Sequence, residues 1–192
     1  MIRRLLHWAL DKAGHPRAPA WLGAISFAES SFFPIPPDVL LAPMALARPH
    51  RGWYFAALTT LTSVLGGLLG YLIGALLYQA VAAPLLDFYG ARAEYRQVVD
   101  WFGTYGVWAV FLAGLTPVPY KVFTIAAGSL AMPLLPFVVG SFAGRGLRFF
   151  ALAGVIRLGG EPLYRQVERW SPLLFWLGVA GIAVLVGYGL LA

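Results

Sequence analysis

Cysteine is absent from the 192-residue chain, and charged residues are scarce. The lack of cysteine excludes disulfides, zinc–thiolate sites and iron–sulfur clusters. Asp, Glu, Lys and Arg make up 11% of the residues, against roughly 25% in an ordinary soluble domain. Because 60% of the residues are hydrophobic, the composition predicts a protein that crosses a membrane or fills a large core.

Enzyme signatures are also missing. The three histidines, His7, His15 and His50, are scattered through polar flanks, so neither a histidine metal site nor a catalytic triad is predicted. The chain has no P-loop, no G-x-G-x-x-G and no G-x-S-x-G motif. We therefore expect a protein that is not an enzyme and that uses neither a cofactor nor a metal.

Long uncharged runs decide the structural class. The runs 52–86, 122–144 and 170–192 all exceed the roughly 20 apolar residues that cross a bilayer as a helix. They predict an all-α integral membrane protein with about three transmembrane helices. The net charge of +6 comes without a dense basic run, so nucleic acid is not an expected partner.

Two of the oily segments are interrupted by prolines. The first, 18–47, contains FAESSFFPIPPD, and the second, 107–132, contains GLTPVPYKVF. The residues predicted to break the helices are Pro34, Pro36, Pro37, Pro117 and Pro119. Proline removes a backbone donor and disfavours helix in the residue before it. Each segment is therefore either a re-entrant helical hairpin, which we favour, or one kinked spanning helix.

The other segments complete the predicted organisation. A membrane domain over 18–157 contains both broken segments, and an interfacial segment with a C-terminal membrane helix follows over 158–192. The elements predicted between and around the broken segments are an interfacial amphipathic segment over 1–17, transmembrane helices over 53–80, 134–156 and 173–191, and an amphipathic helix over 85–102.

Glycines at four-residue spacing mark the first transmembrane helix. Gly66, Gly70 and Gly74 would let another helix approach closely in lipid. We expect that helix to belong to the same chain, with a homodimer as the less favoured alternative.

The two broken segments also resemble each other. PVP at 117–119 echoes PIP at 34–36, and a glycine-containing helix follows each. If both are hairpins, one crossing separates them and they enter from opposite faces. The halves would then form an inverted repeat, an arrangement in which transporters commonly build midplane sites.

Loop charge predicts the orientation. Most loop cations fall on the N-terminal side of the predicted membrane: Arg3, Arg4, Lys12, Arg17, Arg48, Arg51, Arg157, Arg165 and Arg169. Only Arg92 and Arg96 fall on the other side. Because cytoplasmic loops are rich in Lys and Arg, we expect a cytoplasmic N-terminus.

Five ionisable residues lie within apolar sequence: Glu29, Asp38, Lys121, Arg145 and Arg148. Each would cost roughly 2.5–3.5 kcal/mol at a bilayer centre on insertion scales, so we expect them to face the protein interior. One interpretation is that the arginines only pair with the acids and hold the repeats together. In the other, the three cations bind a lipid phosphate while the two acids respond to protons.

Polar side chains near the breaks have a more modest expected role. Backbone groups freed by a broken helix must be satisfied by protein or water at membrane depth. The expected partners are Ser30, Ser31, Thr116, Tyr120 and Thr124.

In combination, these stretches resemble the DedA family, also called the SNARE-associated or VTT-domain family, and most of all its YqaA-like branch. FAESSFFPIPPD resembles the acidic first hairpin of the family, GGLLGYLIG the glycine-rich helix after it, LTPVPYKVFTIAAG the second hairpin, and GRGLRFF the helix that follows. The second hairpin of the family commonly carries two arginines. Here Lys121 matches the second, and the first position is apolar, near Leu115.

The resemblance implies two opposed re-entrant hairpins and the movement of lipids across the bilayer. The implied substrates are polyprenyl phosphates or glycerophospholipids, with coupling to protons. Our leading hypothesis is a lipid flippase or scramblase. The alternatives are a proton/ion antiporter that uses the same acids and a non-transporting scaffold for envelope homeostasis.

Overall fold

The computed structural model describes residues 15–31, 35–89 and 92–191, and these residues are helical with no strand among them. The amphipathic segment predicted over 1–17 lies almost wholly outside the described residues, as does Pro34. Three helices of the described chain are long and apolar enough to cross a membrane. The predicted fold class, an all-α integral membrane protein with about three such helices, is confirmed.

Seven α-helices follow one another through the described residues, and short 3₁₀ and π turns lie on either side of α3. Their bounds are α1 Ala18–Ser31, α2 Asp38–Ala47, a 3₁₀ turn Pro49–Arg51, α3 Gly52–Leu77, a π turn Tyr78–Ala82, α4 Ala83–Tyr89, α5 Arg92–Leu115, α6 Tyr120–Ser129 and α7 Leu134–Leu191. Gly160, with φ 60° and ψ −153°, divides α7 into two limbs, 134–159 and 161–191.

The candidate membrane spans differ in part from the predicted transmembrane helices. They are Pro49–Ala80, Tyr95–Leu115 and Leu134–Tyr164, whereas the C-terminal apolar stretch Pro172–Gly187 is shorter. The second span joins the predicted amphipathic helix to the first arm of the predicted second hairpin. The two predicted segments form one helix because no proline lies between them, and the helix continues until Pro117 stops it.

The first arm of the first broken segment runs parallel to α3. The Ser26 hydroxyl donates to the Thr59 carbonyl at 2.8 Å, and the Ser31 hydroxyl donates to the Gly66 carbonyl at 2.9 Å. The residue numbers of the two partners differ by 33 in the first bond and by 35 in the second. Because the difference stays nearly constant as both numbers increase, the two helices run in the same direction. Because α1 ends beside Gly66, it covers only the first half of α3.

The second arm returns to the level at which the first began. Leu41 and Met44, towards the end of α2, share a buried cluster with Ala18 and Leu22 at the start of α1. The 3₁₀ turn Pro49–Arg51 then leads directly into α3. The chain therefore reverses between α1 and α2, beside the middle of α3.

The second broken segment has the same geometry on α7. Gly140 and Gly144 lie against the backbone carbonyls of Val107 and Phe111, a separation of 33 residues in each pair, so α5 and α7 are parallel. With this separation, residue 101 of α5 is level with the start of α7 at 134. The last residue of α5, Leu115, is then level with the middle of the first limb. The charged first turns of α5, with Arg96 and Asp100 exposed, extend beyond the start of α7.

The second arm, α6, covers the half of α3 that α1 leaves open. Tyr120 lies against Gly67, and the Ser129 hydroxyl donates to the Gly74 carbonyl at 2.9 Å. The start of α6 therefore meets the end of α1 near the middle of α3.

The two halves run in opposite directions. Rings of Trp53, at the start of α3, and Phe150 of α7 stack with centroids 5.7 Å apart, and Gly146 lies near Thr60. Later residues of α3 thus meet earlier residues of α7, and these helices are antiparallel. Corresponding helices of the two halves begin 82 residues apart. Helix α2 begins at 38 and α6 at 120, and α3 begins at 52 and α7 at 134. The helices have the directions that the predicted inverted repeat requires.

Close packing on α3 uses the three glycines that the sequence singled out. A Cβ atom at Gly66 would overlap the Phe27 carbonyl, and one at Gly74 would overlap the Ile125 carbonyl. Gly70 lies against the Thr124 side chain. These contacts are all within one chain.

Candidate functional site

The predicted acids and arginines meet where the two breaks face α7. Glu29 lies in the last turn of α1, and Asp38 is the first residue of α2. Arg145 and Arg148 are one helical turn apart on the first limb of α7. The structure joins them in two ion pairs, Arg145 with Glu29 and Arg148 with Asp38.

The Arg145 pair is enclosed. Only 3% of the Arg145 side chain and 15% of the Glu29 side chain are exposed. The Arg145 guanidinium also donates to the Ser30 hydroxyl at 2.7 Å. Its Cζ atom lies 4.5 Å from the centre of the Tyr120 ring and 5.3 Å from that of Phe149. These contacts hold the guanidinium in one place by charge, hydrogen bonding and cation–π attraction.

A short polar chain extends from this pair into α3. The Ser30 hydroxyl contacts Glu29 at 3.1 Å and the Ser63 hydroxyl at 2.7 Å. The pair therefore links the first hairpin to both long helices.

The Arg148 pair is more open and touches both breaks. The Arg148 and Asp38 side chains are 21% and 25% exposed. Arg148 also donates to the backbone carbonyl of Thr116 at 2.6 Å, in the link between α5 and α6. One guanidinium thus connects the turn of the first hairpin with the turn of the second.

Two buried atoms of these pairs have unused hydrogen-bonding capacity. Asp38 Oδ1 and Arg145 Nε are buried without a hydrogen-bond partner among the described residues. Native proteins seldom leave such atoms unsatisfied, so each ion pair keeps the capacity for one more hydrogen bond.

Lys121 is next to a residue that contacts Arg145. It belongs to the first turn of α6, is half-buried, and directly follows the Tyr120 that packs against Arg145. Its backbone carbonyl accepts a hydrogen bond from the Thr124 hydroxyl at 2.9 Å.

The prolines lie where the helices stop. Pro36 and Pro37 precede α2, and Pro117 and Pro119 lie between α5 and α6. Pro119 is extended, with φ −62° and ψ 96°, and comes directly before α6. The breaks place Asp38 and the Thr116 carbonyl within reach of the same arginine.

Several contacts of the site were not predicted. Thr116 was expected to satisfy backbone groups, and its hydroxyl donates to the Leu112 carbonyl at 2.7 Å, but the use of its own carbonyl by Arg148 was not predicted. Tyr120, which had the same expected role, packs against the Arg145 guanidinium instead. Ser63 was not predicted as part of the site. The available signal was the four-residue spacing of polar residues within oily helices, at Ser26 and Ser30 and again at Thr59 and Ser63.

Comparison with known proteins identifies the family. Residues 35–158 match the VTT domain, about two-thirds of the chain and all of the segment between the first break and the end of the first limb of α7. The chain belongs to the VTT-domain, or DedA, family. The finer resemblance to a YqaA-like branch stays a prediction.

Relatives of this VTT-domain protein include chains of unassigned function. It is 38% identical over 176 residues to an uncharacterized protein of Haemophilus influenzae, covering 92% of this chain and 89% of that one. It is 34% identical over 174 residues to an uncharacterized protein of Histophilus somni, covering 91% and 90%.

A third relative has an assigned function. The chain is 33% identical over 107 residues to undecaprenyl phosphate transporter A of Staphylococcus aureus, covering 53% of this chain and 51% of that one. No solved structure matches the chain.

Proposed function

We propose that this VTT-domain protein is a transporter that moves a phosphate-bearing lipid across the bilayer, as a flippase or scramblase. The observation that carries the proposal is the Arg148–Asp38 pair, which is partly open and touches both breaks. A phosphate that binds Arg148 would sit between the two hairpins, where a headgroup must pass.

The charge of the site favours an anion. Lys121, Arg145 and Arg148 outnumber Glu29 and Asp38, so the five groups together have one excess positive charge. Arginine is suited to phosphate because its planar fork forms two parallel hydrogen bonds. A phosphate headgroup therefore complements the site better than a simple cation does.

The two arginines have different roles in this proposal. Arg145 is enclosed and already contacts a carboxylate, a hydroxyl and two rings, so it holds the hairpins in place. Arg148 is more exposed and can exchange one anion for another. We assign phosphate exchange to Arg148, with Lys121 and Arg145 adding positive potential.

Proton coupling follows from the same exchange. When Arg148 turns to a phosphate, Asp38 loses its cation. Burying an unpaired carboxylate is costly, and protonation removes that cost. We therefore assign proton response first to Asp38, and to Glu29 only if its enclosed pair opens.

Re-entrance of both hairpins is part of the proposal. The contacts between the helices place the end of α1 beside the middle of α3. They place the end of α5 beside the middle of the first limb of α7. Transporters use such broken helices to build sites at the bilayer midplane. The similarity to a relative named as an undecaprenyl phosphate transporter supports a polyprenyl phosphate as the lipid and the bacterial inner membrane as the location.

Reconstitution tests the proposal. In proteoliposomes, the wild type is expected to move labelled polyprenyl phosphate between leaflets. Arg148→Ala and Asp38→Asn are expected to slow the movement at least about tenfold, the effect of losing roughly 1.4 kcal/mol of stabilisation. Arg157→Ala is the matched control, because Arg157 is an exposed arginine on the same helix.

The outcomes separate the candidate functions. A wild type that moves no phosphate-bearing lipid would rule out the proposal. Proton flux without lipid movement would instead favour an ion antiporter, and neither flux would leave a scaffold. Lipid movement that is normal in both site variants would reject the site assignment alone.

A further inference from the structure

A partly open apolar cavity of about 300 Å³ lies away from the ion pairs, between α5, α6 and the C-terminal limb (161–191) of α7. The cavity is lined by Val98, Trp101, Phe102, Ala109, Phe123 and Ile182, together with two further aliphatic side chains. Neither ion pair nor the predicted lysine contributes to this lining, so the cavity is separate from the phosphate site.

Water is a poor occupant of this cavity. The Trp101 indole N–H is buried without a partner in the described chain, and the other lining side chains are aliphatic or phenyl. A buried water needs two to four polar partners, and apolar cavities stay dry and take hydrocarbon instead. The chemistry of the lining therefore selects a hydrocarbon chain.

Helix α5 runs from the ion pairs to the cavity, and its contacts with the C-terminal limb give the distance between the two. The Thr116 side chain lies against Gly178, and Leu112 lies against Gly181, one residue before Ile182 of the cavity wall. Ala109, also in the wall, is seven residues from Thr116, or about 10 Å along the helix. Since the Thr116 carbonyl accepts from Arg148, a chain attached to a phosphate at Arg148 needs to extend about 10 Å to enter the cavity.

The size of the cavity suits one chain. Its 300 Å³ is at the lower end of the roughly 300–1,000 Å³ of pockets that enclose a small ligand. We infer that the cavity binds the hydrocarbon chain of a single-chain isoprenoid phosphate whose phosphate is held at Arg148. The inference rests on the proposed function and adds a tail site that selects single-chain over two-chain lipids.

Competition measures the tail site. Farnesyl phosphate and dimethylallyl phosphate are used as competitors of long-chain polyprenyl phosphate transfer in proteoliposomes, because only the first is long enough to reach the cavity. Ile182→Trp fills the cavity and is expected to weaken competition by farnesyl phosphate about tenfold, the effect of losing roughly two buried methylene groups. Competition by dimethylallyl phosphate should change by less than about twofold, because its short chain makes no contact there.

The matched control is Val184→Trp, on the same limb but 71% exposed. Leu130→Trp fills the cavity from the end of α6 and should reproduce the effect of Ile182→Trp, so a folding defect of one variant does not decide the result. Equal effects of Ile182→Trp and Val184→Trp, or equal losses for both competitors, would overturn the tail site.

Photolabelling separates this inference from the proposed function. A diazirine at the end of a farnesyl phosphate chain should label Phe123 or Trp101, and Ile182→Trp should abolish the labelling. Labelling of this kind without leaflet transfer would overturn the proposed function and keep the tail site. Equal labelling by a diazirine on an acyl chain of phosphatidic acid would show bulk lipid in the cavity and reject the single-chain assignment.

Discussion

Arg145 and Arg148 are one helical turn apart on α7, yet their surroundings differ. Arg145 has 3% of its side chain exposed, and Arg148 has 21%. Breaking a buried ion pair leaves an uncompensated charge in apolar surroundings, whereas a pair with access to solvent is partly screened. The two residues should therefore separate stability from transport.

Substitution of the two arginines tests this difference. Arg145→Ala should lower the free energy of unfolding by about 3–5 kcal/mol, because Glu29 is left buried without its cation. Arg148→Ala should cost clearly less and should mainly reduce transport. Thermal unfolding in detergent measures the stability. The double variant Arg145→Gln/Glu29→Gln is expected to recover part of the loss, and a double variant that is no more stable than Arg145→Ala would contradict the buried-charge explanation.

The pairing of particular acids with particular arginines could not be predicted from the sequence. Both acids and both arginines were identified, since charge within apolar sequence is conspicuous. Which of them pair depends on the register of α1 and α2 against α7, with partners 110 to 116 residues apart. The Thr116 carbonyl was also beyond prediction, because a backbone acceptor has no residue signature.

Among the helices, α3 has the closest contacts, and its glycines explain them. Gly74 lies so close to α6 that a methyl group would overlap the Ile125 carbonyl. A backbone carbonyl cannot move aside without shifting its helix, so the contact tolerates no larger residue. The packing of α6 on α3 thus depends on the absence of a side chain at Gly74, and likewise at Gly128 of α6, where a Cβ atom would overlap the Tyr71 carbonyl.

Two glycine-to-alanine variants test that dependence. Gly74→Ala should force α6 away from α3 and lower the melting temperature. Gly103→Ala is the matched control, since a Cβ atom there meets nothing within 4 Å, and alanine should stabilise the helix by up to about 1 kcal/mol. Calorimetry or fluorescence-monitored unfolding compares the two. Equal melting temperatures for both variants would contradict the packing described for α3.

At the level of elements, the sequence predicts breaks better than it predicts continuity. Prolines marked both breaks, and the glycine spacing marked the packed face of α3. The continuity of α5 was missed because its charged first turns and its apolar last turns have opposite character, although no residue between them stops the helix. A helix continues until a residue such as proline stops the backbone hydrogen bonding. A change from charged to apolar side chains shows only that the surroundings of the helix change from solvent to protein or lipid.

The arrangement of the whole molecule predicts which segments share a membrane face. If both hairpins are re-entrant, the exposed residues His15 and His50 lie on one face and the exposed residues Gln97 and Leu135 on the other. A kinked spanning helix would instead put His15 and His50 on opposite faces. The excess of loop cations on the first face predicts that it is cytoplasmic.

Cysteine labelling distinguishes these arrangements, because the natural chain contains no cysteine. Single variants His15→Cys, His50→Cys, Gln97→Cys and Leu135→Cys are treated with a membrane-impermeant maleimide on intact cells and on inside-out vesicles. The first two should react only in inside-out vesicles, and the last two only in intact cells. Opposite labelling of His15→Cys and His50→Cys would exclude the first re-entrant hairpin.

The division of charge between the halves also sets the order of biosynthesis. Asp38 and Arg148 are 110 residues apart in sequence, so at about 5–20 residues per second the acid is made roughly 6–20 s before its partner. During that interval Glu29 and Asp38 have no cation to neutralise them. If the first hairpin is re-entrant, we expect it to wait at the membrane surface or in the insertion machinery and to enter the hydrocarbon only once α7 has emerged.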